Sequence, residues 1–155
     1  MNKKFIPYHE VEKMINNLAK QIEKSNQNYN AIVGIANGGL NISYPLALKL
    51  GIKHLSIKVS YYGELGHSTS FPQIIDVTSL INYYEGNQQD IKILIVDDIA
   101  DSGQTLQWLQ DNIGTYYPFD AAVLYLTDYS IYKPKYYVKK HIEGTWIVFP
   151  WEKEE

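Results

Sequence analysis

The sequence from Ile93 to Leu106 is ILIVDDIADSGQTL, an apolar run that meets two adjacent aspartates and then a short polar turn. The run from Ile91 to Val96 predicts a buried β-strand that ends at Asp97 and Asp98. The glycine and hydroxyl residues beyond it predict a turn, and a helix is expected from Thr105 to Ile113. Strand, turn and helix in this order form the repeating unit of a parallel α/β sheet.

Similar units lie on both sides of this stretch. Ala31–Ala36 is a short apolar run that enters a glycine turn, which predicts a second buried strand. The chain between and beyond these units predicts further elements: an amphipathic helix over His9–Ser25, a helix over Leu40–Leu50 stopped by Gly51, strands over Ile52–Ser60 and Ala121–Leu126, and a returning strand over Gln73–Leu80 that makes Tyr61–Pro72 the loop of a hairpin. The sequence therefore predicts a doubly wound, mainly parallel α/β sheet with flanking helices.

Length and composition indicate one globular domain over residues 1–155. The chain is 45% hydrophobic, which suffices for a core, and it has no apolar stretch long enough to cross a bilayer. Cysteine is absent, which excludes disulfides, thiolate metal sites and cysteine nucleophiles. The N-terminus lacks the features of a secretory signal, so we expect a cytoplasmic protein without a membrane partner.

The charge of the chain limits its partners. A net charge of -3 argues against nucleic-acid binding, because surfaces that follow a phosphate backbone carry a basic excess. All 14 basic residues are lysines, so a bound phosphate must be held by ammonium groups, hydroxyls, backbone N–H groups or a metal ion. Neither a GxxxxGK[ST] string nor a GxGxxG string occurs, which argues against P-loop and dinucleotide-binding enzymes.

The two aspartates and the turn after them are the best candidates for chemistry. Adjacent side chains of a strand point to opposite faces, so one carboxylate can meet a ligand while the other supports a loop. Magnesium prefers oxygen ligands and keeps several waters, so Asp97 and Asp98 could hold it together with a diphosphate-bearing sugar. The Ser102 and Thr105 hydroxyls and the N-terminus of the next helix would form a cradle for a phosphate.

This stretch resembles the motif that binds phosphoribosyl pyrophosphate (PRPP) in type I phosphoribosyltransferases. In that motif an apolar strand leads to paired acids and a D-[ST]-G-x-T phosphate loop, and Asp101–Thr105 match the loop. The resemblance implies that Asp97 and Asp98 contact the ribose hydroxyls and water-bound Mg²⁺. It further implies that Asp101, near purine N7, is the catalytic residue that exchanges a proton with the base. The 5-phosphate would be bound by Asp101, Ser102, Gly103, Gln104 and Thr105.

Two more matches to the family involve PRPP. Gly34–Gly39 resembles its pyrophosphate loop, which assigns Asn37, Gly38 and Gly39 to phosphate binding. Asn37 departs from the family, whose members usually carry a basic residue there. Ser60 and Tyr61 match the dipeptide that opens the flexible catalytic loop, which closes over PRPP and excludes water.

The C-terminal part resembles the base-binding hood of bacterial and archaeal xanthine-guanine and hypoxanthine phosphoribosyltransferases. The matching residues are Lys133-Pro134 and the stretch Thr145–Glu152. This resemblance implies that residues 129–155 contribute a small hood. In it Lys133 would donate to the purine 6-oxo group, Trp146 would stack on the ring, and the Ile147 backbone would meet the base edge near C2.

Taken together, the resemblance implies a Mg²⁺-dependent enzyme of purine salvage. It would transfer ribose 5-phosphate from PRPP to guanine, xanthine or hypoxanthine, giving the nucleoside 5′-monophosphate and pyrophosphate, and it would act as a homodimer or homotetramer. The alternative is a non-catalytic regulator of the same fold that binds PRPP or a nucleotide. Asn37 and the absence of arginine favour the regulator, whereas Asp101, Ser60-Tyr61 and Lys133 favour catalysis.

Overall fold

The computed structural model describes residues 2–61, 74–87, 89–141 and 144–152. Its elements, in chain order, are β1 (Asn2–Phe5), α1 (Tyr8–Lys24), β2 (Ala31–Ala36), α2 (Leu40–Leu50), β3 (Lys53–Ser60), β4 (Ile74–Asp76), α3 (Thr78–Gly86), β5 (Ile93–Ala100), α4 (Gln104–Ile113), β6 (Phe119–Leu126), β7 (Tyr136–Lys140) and β8 (Thr145–Val148). Within these described ranges, no helix combines the length and apolar character that crossing a membrane requires.

The main sheet has the strand order β4-β3-β2-β5-β6-β7. Its strands pair in parallel except β4, which runs antiparallel to β3. One face packs against residues of α1 and α2, and the other packs against residues of α3 and α4. Helices therefore cover both faces of a mainly parallel sheet, and the predicted doubly wound α/β fold is confirmed.

Strands β2 and β5 are the centre of this sheet. Val33 and Ile95 are fully buried on one face, and Ile32 and Leu94 are fully buried on the other. A strand covered on both faces needs apolar side chains at successive positions, which is why these two runs lack the polar alternation of a surface strand. The burial of both faces fixes where each strand ends, and with it the loops that follow.

Strand β5 is longer than the sequence predicts. The prediction ended the strand at Val96, but β5 continues through both aspartates to Ala100. The reason is its neighbour, because β6 keeps pairing with it at Asp97↔Val123, Ile99↔Tyr125 and Ala100↔Leu126. The paired carboxylates therefore lie on a strand held by the sheet and not in the loop beyond it.

The segment after the hairpin is partly a helix. The predicted pairing is confirmed for β4, which lies antiparallel to β3. The prediction of strand as far as Leu80 is wrong, because α3 begins at Thr78. The Asp76 carboxylate accepts hydrogen bonds from the Thr78 backbone N–H at 3.0 Å and from the Thr78 hydroxyl at 2.7 Å, which turns the chain into the helix. The predicted loop over Tyr61–Pro72 lies, apart from Tyr61, outside the described residues.

Three short strands were not predicted. β7 extends the main sheet beside β6, and β1 pairs in parallel with β8 in a separate two-stranded sheet. The register Lys3↔Trp146 places the N-terminus directly against the predicted base-binding segment. Behind this small sheet Phe149 is 2% exposed and joins the core of the α1 face. The N-terminal strand thus supports the residues that were predicted to bind the base.

The contact between β2 and α2 sets the position of the loop that joins them. A Cβ on Gly34 would lie 2.8 Å from Leu40 Cδ2 and 2.9 Å from Ser43 Cβ, so only glycine allows the helix this close to the strand. Ser43 itself is fully buried and shares a 2.8 Å hydrogen bond with His54 Nε2 of β3.

Gly34→Ala is expected to lower the free energy of unfolding by about 1 to 3 kcal/mol, because the added methyl group overpacks the strand–helix contact. Urea unfolding measures this difference. Gly86→Ala is the matched control, since a Cβ there meets no atom within 4 Å. An unchanged urea midpoint for Gly34→Ala would show that the contact is looser than described.

Candidate functional site

The loops that follow β2, β3, β5 and β6 meet at the carboxyl ends of these strands. Parallel strands end at one edge of the sheet, where helix N-termini and loops leave room for a ligand. Nearly all of the residues predicted to bind PRPP lie at this edge. Two cavities open there, one of 210 Å³ along the turn after β5 and one of 350 Å³ beside β8.

Asp97 and Asp98 are the charged centre of this edge. Asp97 lines the smaller cavity, while a Cβ on Gly38 would lie 2.6 Å from Asp98 Oδ2. One carboxylate thus faces the cavity and the other supports the Asn37–Gly39 loop, as the alternation of a strand predicts. Burial raises the pKa of both carboxyl groups, and for Asp97 the neighbouring Asp98 charge raises the pKa further. Two like charges held close together in a partly buried place favour a cationic ligand.

The turn after β5 forms the wall of the smaller cavity. Gly103 has a φ of 80°, which glycine adopts without strain, and α4 starts directly after it at Gln104. The first backbone N–H groups of this helix have no partner within the helix and therefore face the cavity as donors. The Ser102 Oγ accepts the Gln104 N–H at 3.3 Å, and the Thr105 hydroxyl shares a hydrogen bond with the Tyr61 hydroxyl. These groups can bind a phosphate without a basic side chain.

The glycine loop after β2 closes the site from the side of Asp98. Asn37 is exposed, and the peptide bond that joins it to Ala36 is cis. The site of a Cβ on Gly38 lies 3.6 Å from Trp151 Nε1, so the loop sits between Asp98 and the C-terminal segment. A side chain at position 38 would collide with the Asp98 carboxylate, which explains the glycine.

The larger cavity is the candidate site for the base. Trp146 lines it with 53% of its surface exposed, and buried Ile147 lines it from the same strand. The half-exposed indole is a large stacking surface, and the Lys3 ammonium lies over its ring, 5.1 Å from the centroid. Ile99 and Asp101 line both cavities, so the two cavities adjoin at these residues.

The segment after β6 fixes Asp101 and the turn. The buried Thr127 hydroxyl donates to Asp101 O at 2.5 Å, and the Ile131 N–H donates to Ser102 O at 2.8 Å. The Tyr129 hydroxyl donates to Asp101 Oδ1 at 2.5 Å. Backbone and side chain of Asp101 are therefore held by one neighbouring segment.

The structure brings together most residues that the sequence singled out. The smaller cavity is lined by Tyr61, Asp97, Asp101, Ser102, Gly103, Gln104 and Thr105, with Asp98, Gly38 and the Asn37–Gly39 loop beside them. Ser60 lies one residue before Tyr61 at the end of β3. Trp146 and Ile147 line the larger cavity.

Lys133 was predicted to bind the base, but its side chain lies outside both cavities. It lines neither cavity, and its ammonium group donates to the Asp128 backbone oxygen at 3.3 Å on the exposed surface. The larger cavity has polar lining residues that the sequence analysis missed: Tyr129, His141, Thr145 and Glu152. A signal for Tyr129 existed, because it follows the end of β6 by three residues, at the same sheet edge as the other loops.

The donor set at this edge fits a magnesium ion that arrives with its ligand. Among the described residues, no group of three or more His, Cys, Asp or Glu side chains could hold a metal by itself. Asp97 and Asp98 supply two carboxylates, and Mg²⁺ commonly takes one or two carboxylates together with substrate phosphates and waters. A resident ion is not expected from this geometry, whereas an ion shared with a diphosphate is.

Comparison with known proteins identifies the family of this chain. A family model described as the phosphoribosyl transferase domain matches residues 6–154. The xanthine-guanine phosphoribosyltransferase of Cereibacter sphaeroides is 30% identical over 126 residues, which are 80% of this chain and 70% of that protein. The crystal structure of a purine phosphoribosyltransferase from Pyrococcus horikoshii superposes with a TM-score of 0.80 at 28% identity, covering 100% of this chain and 97% of the other. A Helicobacter pylori xanthine-guanine-hypoxanthine phosphoribosyltransferase shares the fold, with a TM-score of 0.75 at 24% identity over 97% of this chain and 94% of its own.

The chain belongs to the phosphoribosyl transferase domain family. The resemblance found in the sequence is thereby confirmed, and so is the prediction that the protein is a phosphoribosyltransferase enzyme.

Asp97→Asn is expected to raise the free energy of unfolding of the ligand-free protein by about 1 to 2 kcal/mol. The variant removes one of two neighbouring like charges but keeps an oxygen that accepts the Asp98 N–H. Urea unfolding without Mg²⁺ or phosphate measures the change, with Asp111→Asn on the exposed face of α4 as the control. A less stable Asp97→Asn protein would contradict the proposed repulsion.

Proposed function

We propose that the protein transfers ribose 5-phosphate from PRPP to a 6-oxopurine in purine salvage, releasing pyrophosphate. The observation that carries the proposal is the position of Asp101, which lines both the phosphate cavity and the cavity beside Trp146. A transferase must bring two substrates together at one reacting atom, and two cavities that share a catalytic group provide this arrangement. The similar proteins named above include xanthine-guanine and purine phosphoribosyltransferases, which supports the class of base.

The smaller cavity is the proposed site of PRPP. Its 5-phosphate would accept hydrogen bonds from the backbone N–H groups at the start of α4 and from the hydroxyls of Ser102 and Thr105. Asp97 and Asp98 would face the ribose hydroxyls, and Asn37–Gly39 would bind the pyrophosphate through backbone N–H groups. Ser60 and Tyr61, at the end of β3, would contact the ligand, and Tyr61 lines this cavity. Because the chain lacks arginine, these neutral donors would bind the phosphate oxygens in place of guanidinium groups.

Magnesium is the proposed cofactor, held by Asp97 and Asp98 through its waters. When bound, it would neutralise charge on the pyrophosphate oxygens and so make pyrophosphate a better leaving group. Burial raises the pKa of both carboxyl groups, and a nearby cation would offset the cost of keeping them charged there. In this proposal, the charge of the two carboxylates is neutralised when Mg²⁺ binds together with the substrate.

The proposed reaction needs one proton transfer. The base nitrogen N9 forms a bond to ribose C1, the bond from C1 to the pyrophosphate oxygen breaks, and its electron pair leaves with pyrophosphate. A base that enters as the N7–H tautomer gives its N7 proton to the Asp101 carboxylate. Trp146 would hold the ring by stacking, and the Ile147 backbone would meet the edge near C2. The predicted homo-oligomer and cytoplasmic location remain predictions.

Turnover with several bases tests this proposal. The protein is incubated with PRPP, Mg²⁺ and, separately, guanine, xanthine, hypoxanthine or adenine, and nucleotide formation is followed by chromatography. The proposal expects product with at least one 6-oxopurine and loss of product when Mg²⁺ is chelated. No product with any base, together with intact PRPP binding, would favour the non-catalytic regulator instead.

Asp101→Asn is expected to lower kcat by about 10² to 10⁴-fold, because an amide cannot take the N7 proton. PRPP affinity, measured by calorimetry, should change little because the backbone of the turn is kept. Asp128→Asn is the matched control, since Asp128 is an exposed neighbour that lines neither cavity. Equal kcat values for Asp101→Asn and the wild type would remove Asp101 from the proton transfer.

Asn37→Arg is expected to strengthen pyrophosphate binding about tenfold, because it adds a charged donor to a loop with none. Asn112→Arg, on the exposed C-terminal part of α4, adds the same charge away from the site and is the control. Calorimetric titration with magnesium pyrophosphate compares the three proteins. The same affinity in all of them would place the pyrophosphate elsewhere.

A further inference from the structure

The larger cavity contains a hydroxyl group beside the catalytic carboxylate. Tyr129 lines this cavity, and its Oη lies 2.5 Å from Asp101 Oδ1, to which it donates. Its backbone is held by its neighbours: Thr127 N–H donates to Ala100 O at 3.1 Å, and the buried Ser130 hydroxyl donates to Tyr132 O at 2.7 Å. The backbone on both sides of Tyr129 is therefore held, and the Tyr129 hydroxyl lies at the Asp101 carboxylate.

The chemistry of the purine edge determines what such a hydroxyl would meet. N7 and the substituent on carbon six are neighbours on the same edge of a purine. If the Asp101 carboxylate accepts the N7 proton, a group hydrogen-bonded to that carboxylate can reach the six substituent on the same edge. Tyr129 is that group in this structure.

Lys133 offers no comparable contact. Its ammonium group donates to Asp128 O on the exposed surface, and it lines neither cavity. Pro134, which follows it, is buried and anchors the backbone there. Recognition at carbon six therefore falls to a side chain from a different position.

We propose that the Tyr129 hydroxyl, and not the Lys133 ammonium, binds the substituent at carbon six of the base. This inference rests on the proposed transfer to a purine, since it takes Asp101 as the partner of N7. On base binding, the hydroxyl turns from Asp101 Oδ1 to the six substituent and leaves the carboxylate to N7–H. A hydroxyl donates to an oxo group and accepts from an amino group, whereas an ammonium only donates. The site therefore selects oxo over amino bases less strictly than a lysine would.

The test compares two nucleotides that differ at carbon six. GMP carries an oxygen there, and the ribonucleotide of 2-aminopurine carries hydrogen. Tyr129→Phe is expected to weaken GMP binding about tenfold, the effect of losing one neutral hydrogen bond at a side chain that is 53% exposed. Binding of the 2-aminopurine nucleotide should stay within about twofold, because it makes no such bond. Calorimetry gives both affinities.

Two variants complete the experiment. Tyr116→Phe removes a hydroxyl from a side chain that is 77% exposed and lines neither cavity, and it should leave both affinities unchanged. Lys133→Met tests the competing assignment, and it should keep the preference for GMP. Loss of that preference in Lys133→Met but not in Tyr129→Phe would overturn the proposal.

The remaining outcomes also separate the explanations. Equal weakening of both nucleotides in Tyr129→Phe, with a shifted pH dependence of kcat, would mean that Tyr129 only positions Asp101. Failure of GMP to bind the wild-type protein would also contradict the proposed role of Tyr129 in binding the base. A protein without turnover whose GMP preference still depends on Tyr129 would contradict the proposed transfer and leave this recognition intact.

Discussion

Asp97 and Asp98 are consecutive residues of β5; burial raises the pKa of both carboxyl groups, and the Asp98 charge raises the pKa of Asp97 further. Two like charges in such a place are costly unless a cation or hydrogen-bond donors meet them. The sheet keeps them there because β6 continues to pair with β5 beyond both residues. The other parts of the site lie around this acid pair. The glycine loop packs against Asp98, and the turn before α4 follows directly after β5. A bound cation would lower this cost.

The second constraint is the bracing of the turn by the segment after β6. Thr127, Tyr129 and Ile131 donate to Asp101 and Ser102, so the segment that lines the larger cavity also fixes the turn that lines the smaller one. Gly103 allows this approach, since a Cβ there would collide with Ser130 Oγ and lie 2.7 Å from the Tyr132 backbone nitrogen. The two cavities are therefore coupled through hydrogen bonds of one short segment. Preorganised donors of this kind cost no rearrangement during the reaction.

The central elements could be predicted because their apolar pattern and their turn residues indicate the same structure. Ala31–Ala36 and Leu40–Leu50 match β2 and α2 residue for residue, since an apolar run buried on both faces and a helix stopped by Gly51 leave little choice. The elements that escaped prediction are polar or short. β7 has the sequence YYVKK and β1 has NKKF, and each becomes a strand only through its pairing partner. α3 buries little besides Leu80, and its start depends on Asp76, a local capping signal that apolar periodicity does not contain.

The site, too, was predictable in one part and not in another. Asp97–Thr105 could be predicted because strand, acids, turn and helix are contiguous in the chain. The base cavity could be predicted less well, because its lining comes from separate loops whose side chains meet only after folding, as Tyr129 and His141 do beside Trp146. Lys133 shows the limit, since its position along the chain matches a motif while its side chain lies outside the cavity.

The central claim is that the turn after the acid pair holds the phosphate of an activated pentose. A crystal structure of the protein with PRPP and Mg²⁺ tests it directly. We expect the 5-phosphate within hydrogen-bond distance of the Ser102 and Thr105 hydroxyls and of the first N–H groups of α4, with the ion near Asp97 and Asp98. A 5-phosphate bound away from this turn, with the acid pair still free of any cation, would contradict it.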